Sequence, residues 1–266
     1  MEIHKITVLG GNGKNHVREP VEEVTFRMGD VVSIVGPTGC GKTTLINDIE
    51  LFADSNTPSM RRVLINDAPV DESDFAPSRT PIALISQHTN FLSDLPVNEF
   101  LAIHARIRQD GNVTTLVQET LGFANQLTGE PLILESAMTE LSGGQTRALL
   151  IADAVIIGNS PIVLLDEIEN AGIHRTKALE LLRGYRKIFI FVTHDPRIAL
   201  LSDSRIVMSN GAMQKVFVTS DEERQVVEEI KKMDDLLLDF RGLIRTGNQI
   251  SRSDLDDRLR ASGYIA

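Results

Sequence analysis

Leu141-Ser142-Gly143-Gly144-Gln145, followed by the apolar run and acidic end Ile162-Val163-Leu164-Leu165-Asp166-Glu167, decides how this chain folds. The first segment, serine-led and glycine-rich, suits the start of a helix. The second suits a buried strand that delivers two carboxylates at its end. Upstream lies Gly36-Pro37-Thr38-Gly39-Cys40-Gly41-Lys42-Thr43-Thr44, between the β-branched run Val31–Val35 and the helically spaced Leu45, Ile46 and Ile49. Strand, glycine loop and helix in that order are what the phosphate-binding pattern G-x-x-x-x-G-K-[ST] requires.

Each motif has a chemical reason. Glycines let backbone N–H groups approach a β-phosphate without Cβ interference, and the helix that follows adds the positive end of its dipole. Lys42 suits a bridge between β- and γ-phosphates, and the Thr43 hydroxyl suits Mg²⁺. A strand ending in Asp166 puts a carboxylate at the carboxyl edge of a sheet, where open α/β folds bind ligands. Glu167, one residue on, can polarise an attacking water.

The 266 residues are enough for a full core, as one large domain or one domain with lobes. Hydrophobic residues at 42% and charged residues at 24% are ordinary for a folded soluble protein. No apolar run reaches the ~18 residues that span a bilayer, so membrane contact is expected through a partner. The opening Met1-Glu2-Ile3-His4-Lys5 leads into strand-like sequence and has no signal-peptide character. The single cysteine, Cys40, allows no internal disulfide and points to a reducing, cytoplasmic setting. A net charge of −10 argues against a broad nucleic-acid footprint.

Alternating strands and helices predict an α/β layered core. Glu2–Leu9, Val21–Arg27, Arg61–Asn66, Pro81–Ser86, Lys187–Val192, Arg205–Met208 and Lys215–Val218 have strand character, and Gly10-Gly11-Asn12-Gly13-Lys14 has hairpin-turn chemistry. Helices are expected at Lys42–Glu50, Gln145–Ile157 and from Arg175 to Leu182. Between Asn90 and Glu140 the strand signal fades, and Val97–Ile107 and Thr115–Gln126 read as an inserted helical lobe. After residue 218, a capping box at Ser220-Asp221-Glu222-Glu223 opens a helix with Val226, Val227, Ile230, Met233, Leu237 and Phe240 on roughly one stripe. A shorter helix is expected from Ser253 to Ala261. His88, His104 and His174 have no metal-ligand spacing.

In this order the motifs resemble the ATP-binding cassette (ABC) ATPase family over roughly residues 1–218, and 141–145 match its signature unaltered. The resemblance implies an α/β ABC ATPase fold: a RecA-like parallel-sheet core, an antiparallel β subdomain and an inserted helical subdomain at about 90–141. Residues 219–266 would form a C-terminal helical appendage. It further implies Mg²⁺-dependent ATP hydrolysis in a head-to-tail dimer, each ATP lying between one copy's phosphate loop and the other's Ser142, Gly143, Gly144 and Gln145. Gln87 matches the family's Q-loop glutamine, which touches Mg²⁺ or water, and His194 in Phe191-Val192-Thr193-His194-Asp195 matches the switch histidine at the γ-phosphate. Phe91–Val97 resembles the entry to the helical lobe in transporter subunits.

Two departures stand out. Ile168 replaces the family's usual proline, and Ile173 falls where an aspartate couples the two sites of the dimer. The adenine-stacking aromatic is replaced by Asn15-His16-Val17, and neither Tyr185 nor Tyr264 is placed for that role, so base recognition is expected to be loose. Three roles stay open: a transporter subunit that works with a separate membrane-spanning chain and sits peripherally on the inner face of the cell membrane; a soluble ATPase in metal-cofactor or iron–sulfur assembly or enzyme activation; and an ABC-type nucleic-acid or translation factor.

Overall fold

The computed structural model describes residues 2–70, 80–86, 89–167 and 175–265. In chain order its strands are β1 (Lys5–Leu9), β2 (Glu23–Arg27), β3 (Val31–Val35), β4 (Arg62–Ile65), β5 (Ala68–Pro69) and β6 (Ile82–Ile85). They continue with β7 (Ile162–Asp166), β8 (Ile188–Val192), β9 (Ser204–Ser209) and β10 (Ala212–Val218). The helices are α1 (Lys42–Glu50), α2 (Val97–Arg108), α3 (Val113–Leu127), α4 (Gly143–Val155), α5 (Arg175–Arg183), α6 (Pro196–Leu201), α7 (Asp221–Arg245) and α8 (Arg252–Ala261). The chain divides into two compact units, residues 1–218 and 219–266.

In the first unit a six-stranded sheet runs β10-β9-β3-β8-β7-β6, and a four-stranded antiparallel sheet runs β2-β1-β4-β5. From β9 to β6 all neighbours are parallel, and only β10 turns back against β9. Parallel strands covered on both faces favour apolar residues at nearly every position, which is the composition of β8 throughout and of β3 and β7 apart from Ser33 and the terminal Asp166. The two faces take alternate residues. Phe189 and Phe191 join the cluster built by α2, α3, α4 and α5, while Ile188, Ile190 and Val192 join the one shared with α1, Ile6, Val8 and Phe26. Truncating either phenylalanine to alanine would cost ~3–5 kcal/mol.

Between β6 and β7 the inserted lobe packs α2, α3 and α4 together. Asn112 caps α3 by accepting from Thr115 N–H at 3.2 Å. His104 Nδ1 bonds Asp153 Oδ1 at 2.7 Å while Arg108 Nε donates to His104 Nε2 at 3.1 Å, so the imidazole is partnered on both sides. His88 and His174 lie outside the described residues.

β1 and β2 pair antiparallel, so the segment between them is a hairpin, but a wide one. Its glycines run along one arm, and the tip closes through Gly13 N–H to Val17 O at 2.8 Å around a short 3₁₀ turn at Lys14–His16. Beneath the hairpin Arg61 is fully buried. Its Nε and Nη2 donate to Glu19 at 3.0 and 2.6 Å, its Nη1 to Asp48 at 2.8 Å, and Nη2 also to Gly211 O at 2.8 Å. Burial works against the guanidinium charge, but the hydrogen bonds and charges of Glu19 and Asp48 more than offset it and hold its pKa above the usual arginine value.

In the second unit, Ser220 and Glu223 form the capping box of α7: Ser220 Oγ accepts from Glu223 N–H at 3.2 Å and Glu223 Oε2 from Ser220 N–H at 3.1 Å. A second box at Ser251 opens α8. The Arg258 guanidinium lies 5.4 Å from the Phe240 ring centroid, and the Tyr264 hydroxyl donates to Glu229 O at 3.1 Å, so α8 lies back along α7.

Lys187, buried just before β8, bonds Asn159 Oδ1 at 2.7 Å and Ser160 O at 3.1 Å, both neutral, and burial lowers its pKa from 10.5 to about 8. Between those values the unfolded chain holds a proton that the folded chain has released, so this group favours the fold increasingly as pH rises. The stability of Lys187→Met relative to wild type should therefore be highest near neutral pH and decline by up to ~3 kcal/mol toward pH 10.5. Urea unfolding of both proteins across that range measures it, and a pH-independent difference would contradict the assignment.

Candidate functional site

The carboxyl ends of three neighbouring parallel strands carry the candidate residues. β8 lies between β3 and β7, and the register aligns Val192 with Ile34 on one side and Asp166 on the other. The segments leaving these strands, Gly36–Gly41, Asp166-Glu167 and Thr193-His194-Asp195, therefore emerge level at one edge, beside the point where the sheet's connections diverge from β3.

The loop after β3 needs its glycines. Gly36 has φ +151°, and a Cβ there would meet Met208 O at 2.3 Å. Gly41 has φ +100°, and its Cβ would meet Gly211 Cα at 2.9 Å. Lys42 is buried, and its Nζ donates to Gly36 O at 2.8 Å and Pro37 O at 3.1 Å, closing the loop upon itself. Both acceptors are neutral and residues 36–44 contain no acid, so the loop keeps a net positive charge. No side chain caps the start of α1. Thr43 and Thr44 are exposed there, and among the described residues no side chain accepts from the first-turn N–H groups. A cationic loop with uncapped donors fits a nucleotide's phosphates, and the nearby hydroxyl and carboxylate fit a hard divalent cation. Cys40 is buried, its Sγ on the Gly36 side of the loop, which makes it a packing residue.

Glu167 leaves β7 with φ +50°, a left-handed conformation that costs a non-glycine residue ~1–3 kcal/mol. Its N–H donates to Val192 O at 3.0 Å, which holds the backbone there. His194 Nε2 lies 3.5 Å from Glu167 Oε1, both side chains partly exposed. The histidine's own segment is braced: Thr193 N–H donates to Ile34 O at 3.2 Å and Asp195 N–H to Thr193 Oγ1 at 2.9 Å. Asp195 then caps α6 through Arg197 N–H at 2.8 Å and pairs with the Arg197 guanidinium at 2.9 Å. A cleft of about 340 Å³ opens between Gly36-Pro37 and Thr193–Pro196.

Leu141–Gln145 is anchored elsewhere. Ser142 caps α4 by accepting from Gln145 N–H at 3.3 Å, and Gln145 Oε1 accepts from Ser142 N–H at 2.9 Å. Gln145 Nε2 reaches Pro131 O at 3.2 Å, and Leu141 packs on the apolar cluster of the helical lobe. Ser142 and Gly143 face solvent at the start of that helix. Gln87 and residues 168–174, which include Ile168 and Ile173, lie outside the described residues. The Arg61 network carries no motif, and the left-handed conformation of Glu167 is not visible in sequence; a glutamate two residues before Val21 and an arginine before a strand look like ordinary surface charges.

Parallel sheet, phosphate loop and strand-end carboxylates together define a nucleoside-triphosphate-binding α/β core. The family model described as ABC transporter matches residues 22–170. An uncharacterized ABC transporter ATP-binding protein of Methanocaldococcus jannaschii is 48% identical over 256 residues, covering 96% of this chain and 98% of that protein. The chain belongs to the ABC transporter family, as an ATP-binding protein. A spermidine/putrescine import ATP-binding protein of Lawsonia intracellularis is 32% identical over 198 residues, 71% of this chain but about half (51%) of that protein's length. Among solved structures, a dimeric ATP-binding cassette in a post-hydrolysis state with ADP and Pi shares the fold, with a TM-score of 0.62 at 23% identity over 81% of this chain and 99% of that one.

Because Glu167 sits at φ +50°, glycine there should relieve strain. Glu167→Gly is expected to be as stable as wild type or up to ~1 kcal/mol more stable, since relief of the left-handed penalty outweighs glycine's added unfolded-state entropy. Thermal unfolding checks this, and a clear drop in Tm would show that the backbone there is unstrained.

Proposed function

We propose that the chain is the ATP-hydrolysing subunit of an ABC assembly, acting as a head-to-tail pair of copies that closes on ATP to drive a separate membrane-spanning subunit. The observation that carries this reading is a divided site. Phosphate loop, acidic pair and histidine share one sheet edge, while the signature is presented on a solvent-facing helix start held by the inserted lobe. A solvent-facing helix start that carries a serine hydroxyl is a ready anion site. It is useful to hydrolysis when a γ-phosphate arrives on another copy.

In this reading Gly36, Pro37, Thr38, Gly39, Cys40, Gly41, Lys42, Thr43 and Thr44 wrap the phosphates, chiefly through backbone N–H groups (which Pro37 lacks), with the Lys42 ammonium moving from the loop carbonyls to bridge β- and γ-oxygens. Mg²⁺ held by the Thr43 hydroxyl, Asp166 and Gln87 would offset the charge on those oxygens. Glu167 polarises the attacking water and accepts its proton. His194, within 3.5 Å of Glu167, orients that carboxylate and contacts the γ-phosphate. From a second copy, Ser142, Gly143, Gly144 and Gln145 complete the cage. Preorganised donors around the charge that develops on the phosphate supply most of the acceleration.

No described helix is long and apolar enough to cross a membrane, and in this reading coupling to transport runs through another chain. The relative that is 48% identical, named as an ABC transporter ATP-binding protein, supports that partner. Crosslinking from the helical lobe should recover a membrane-spanning protein. Recovery of soluble assembly factors alone would instead favour a role in metal-cofactor assembly or enzyme activation.

Glu167→Gln should bind ATP without turnover and run as a dimer on gel filtration with ATP and Mg²⁺. A persistent monomer would sink the paired-site reading. Lys42→Ala should lower hydrolysis by at least ~10²-fold, measured as phosphate release, since the transferring group loses its main side-chain cation. Undiminished turnover in that variant would remove the phosphate-loop assignment.

A further inference from the structure

The Arg61 network lies behind the phosphate loop rather than in it, and three segments around the loop, the turn at Gly211, helix α1 and the hairpin, lead back to this one side chain. Arg61 Nη2 donates to Gly211 O at 2.8 Å, and Gly211 N–H in turn donates to Cys40 O at 2.8 Å. The same glycine approaches Gly41 so closely that a Cβ on Gly41 would meet Gly211 Cα at 2.9 Å. Arg61 Nη1 holds Asp48 Oδ2 at 2.8 Å, which fixes α1, the helix whose first turn carries Lys42, Thr43 and Thr44. Ser59 Oγ donates to that same Asp48 oxygen at 2.8 Å. Through Glu19, which accepts from Gly11 N–H at 2.9 Å and from Met213 N–H, Arg61 also fixes the wide hairpin. Lys14 of that hairpin donates from Nζ to Gly39 O at 3.1 Å, and its N–H donates to Asn210 O at 2.7 Å.

We propose that Arg61 is a positioning residue for the nucleotide site, bracing the turn at Gly211, helix α1 and the hairpin so that the N–H groups of residues 39–44 keep the spacing that receives the β-phosphate. It touches neither nucleotide nor water; it acts through Cys40, Gly41 and α1. The inference rests on the reading of residues 36–44 as the nucleotide site. Arginine is suited to the task because its planar fork serves Glu19 in bidentate fashion while its remaining donors reach Asp48 and Gly211. Lysine at this position would keep the charge but not the fork.

Binding of fluorescent ATP and ADP analogues to the full chain tests the role, with turnover measured in parallel. Arg61→Lys should weaken both nucleotides about tenfold, because a misplaced loop loses grip on the β-phosphate they share. The loop grips that phosphate in ground and transition states alike, so KM should rise while kcat changes little. Leu101→Ala, in the core of the helical lobe, serves as a variant of lowered Tm with unaltered nucleotide affinity. Arg61→Lys with wild-type affinity, or with a loss no larger than that of Leu101→Ala at matched Tm, would overturn the proposal. Should Arg61→Lys not fold, Ser59→Ala, which removes one bond to Asp48 and leaves the ion pairs in place, should give a smaller loss in the same direction, and unchanged affinity there overturns the role equally. Wild-type protein that binds neither nucleotide would overturn the nucleotide-site reading and this role with it, an outcome distinct from wild-type binding that Arg61→Lys leaves intact.

Discussion

The pairing of β8 with β3 on one side and β7 on the other is the constraint on which the rest of the site depends. β8 is buried along its whole length, with phenylalanines toward the helical lobe and branched residues toward α1. A slip of one residue would drive Phe189 and Phe191 into space shaped for Ile190 and Val192 and would reverse every side chain of the strand. Steric register in the core therefore fixes the level at which three loops leave the sheet. That the backbone of Gly36, Glu167 and His194 starts from one line is a consequence of packing several residues below them.

Level strand ends do not by themselves hold loops in place, and each loop has its own brace. Lys42 ties the phosphate loop through two carbonyls, Asp195 locks the histidine segment to α6, and a hydrogen bond to Val192 holds Glu167 in its left-handed conformation. The signature is braced as well, by its capping box and by Pro131, but on the other lobe. Rigid half-sites on separate lobes suit a catalyst assembled by docking copies: little ordering remains to be done on closure, so binding energy is not spent on it.

Much of this was legible in the chain. Val31–Val35 and the helix at Lys42–Glu50 coincide with the observed β3 and α1, because a short β-branched run between a turn and a glycine loop permits few alternatives. The proposed site residues could be placed for the same reason: a glycine loop between strand and helix is local, and local chemistry shows in local sequence. What escaped is non-local or conformational. Glu19 and Arg61 are separated by 42 positions, and nothing in Arg18-Glu19-Pro20 signals burial. The short strand β5 and helix α6 are too brief for periodicity, and α6 rests on one capping aspartate. Glu167 was identifiable as an acid placed to polarise water, but its left-handed conformation was not, since a backbone angle leaves no trace in composition. The hairpin was recognised, but its width follows from the contacts of Lys14 with Asn210 and Gly39, which no turn rule encodes.

Lys187 and Arg61 are both buried cations, and they resolve the same problem differently. Lys187 has only neutral acceptors, so burial drives its pKa down to about 8 and the group can shed its charge. Arg61 is given two carboxylates, and its charge is held across any pH at which the protein folds. The difference matches their positions. Lys187 stands at the entrance to β8, where a change of charge would perturb only packing. Arg61 stands behind the phosphate loop, where a brace that titrated near neutrality would make loop geometry depend on small shifts of pH. A guanidinium does not release its proton, and it spans Glu19, Asp48 and Gly211 at once. Removing one of those partners leaves a buried charge short of a bond, which is costly enough to disfavour partial versions of the network. Such a network is kept whole or replaced whole, and that makes the back of the phosphate loop a place where single substitutions are felt at the nucleotide.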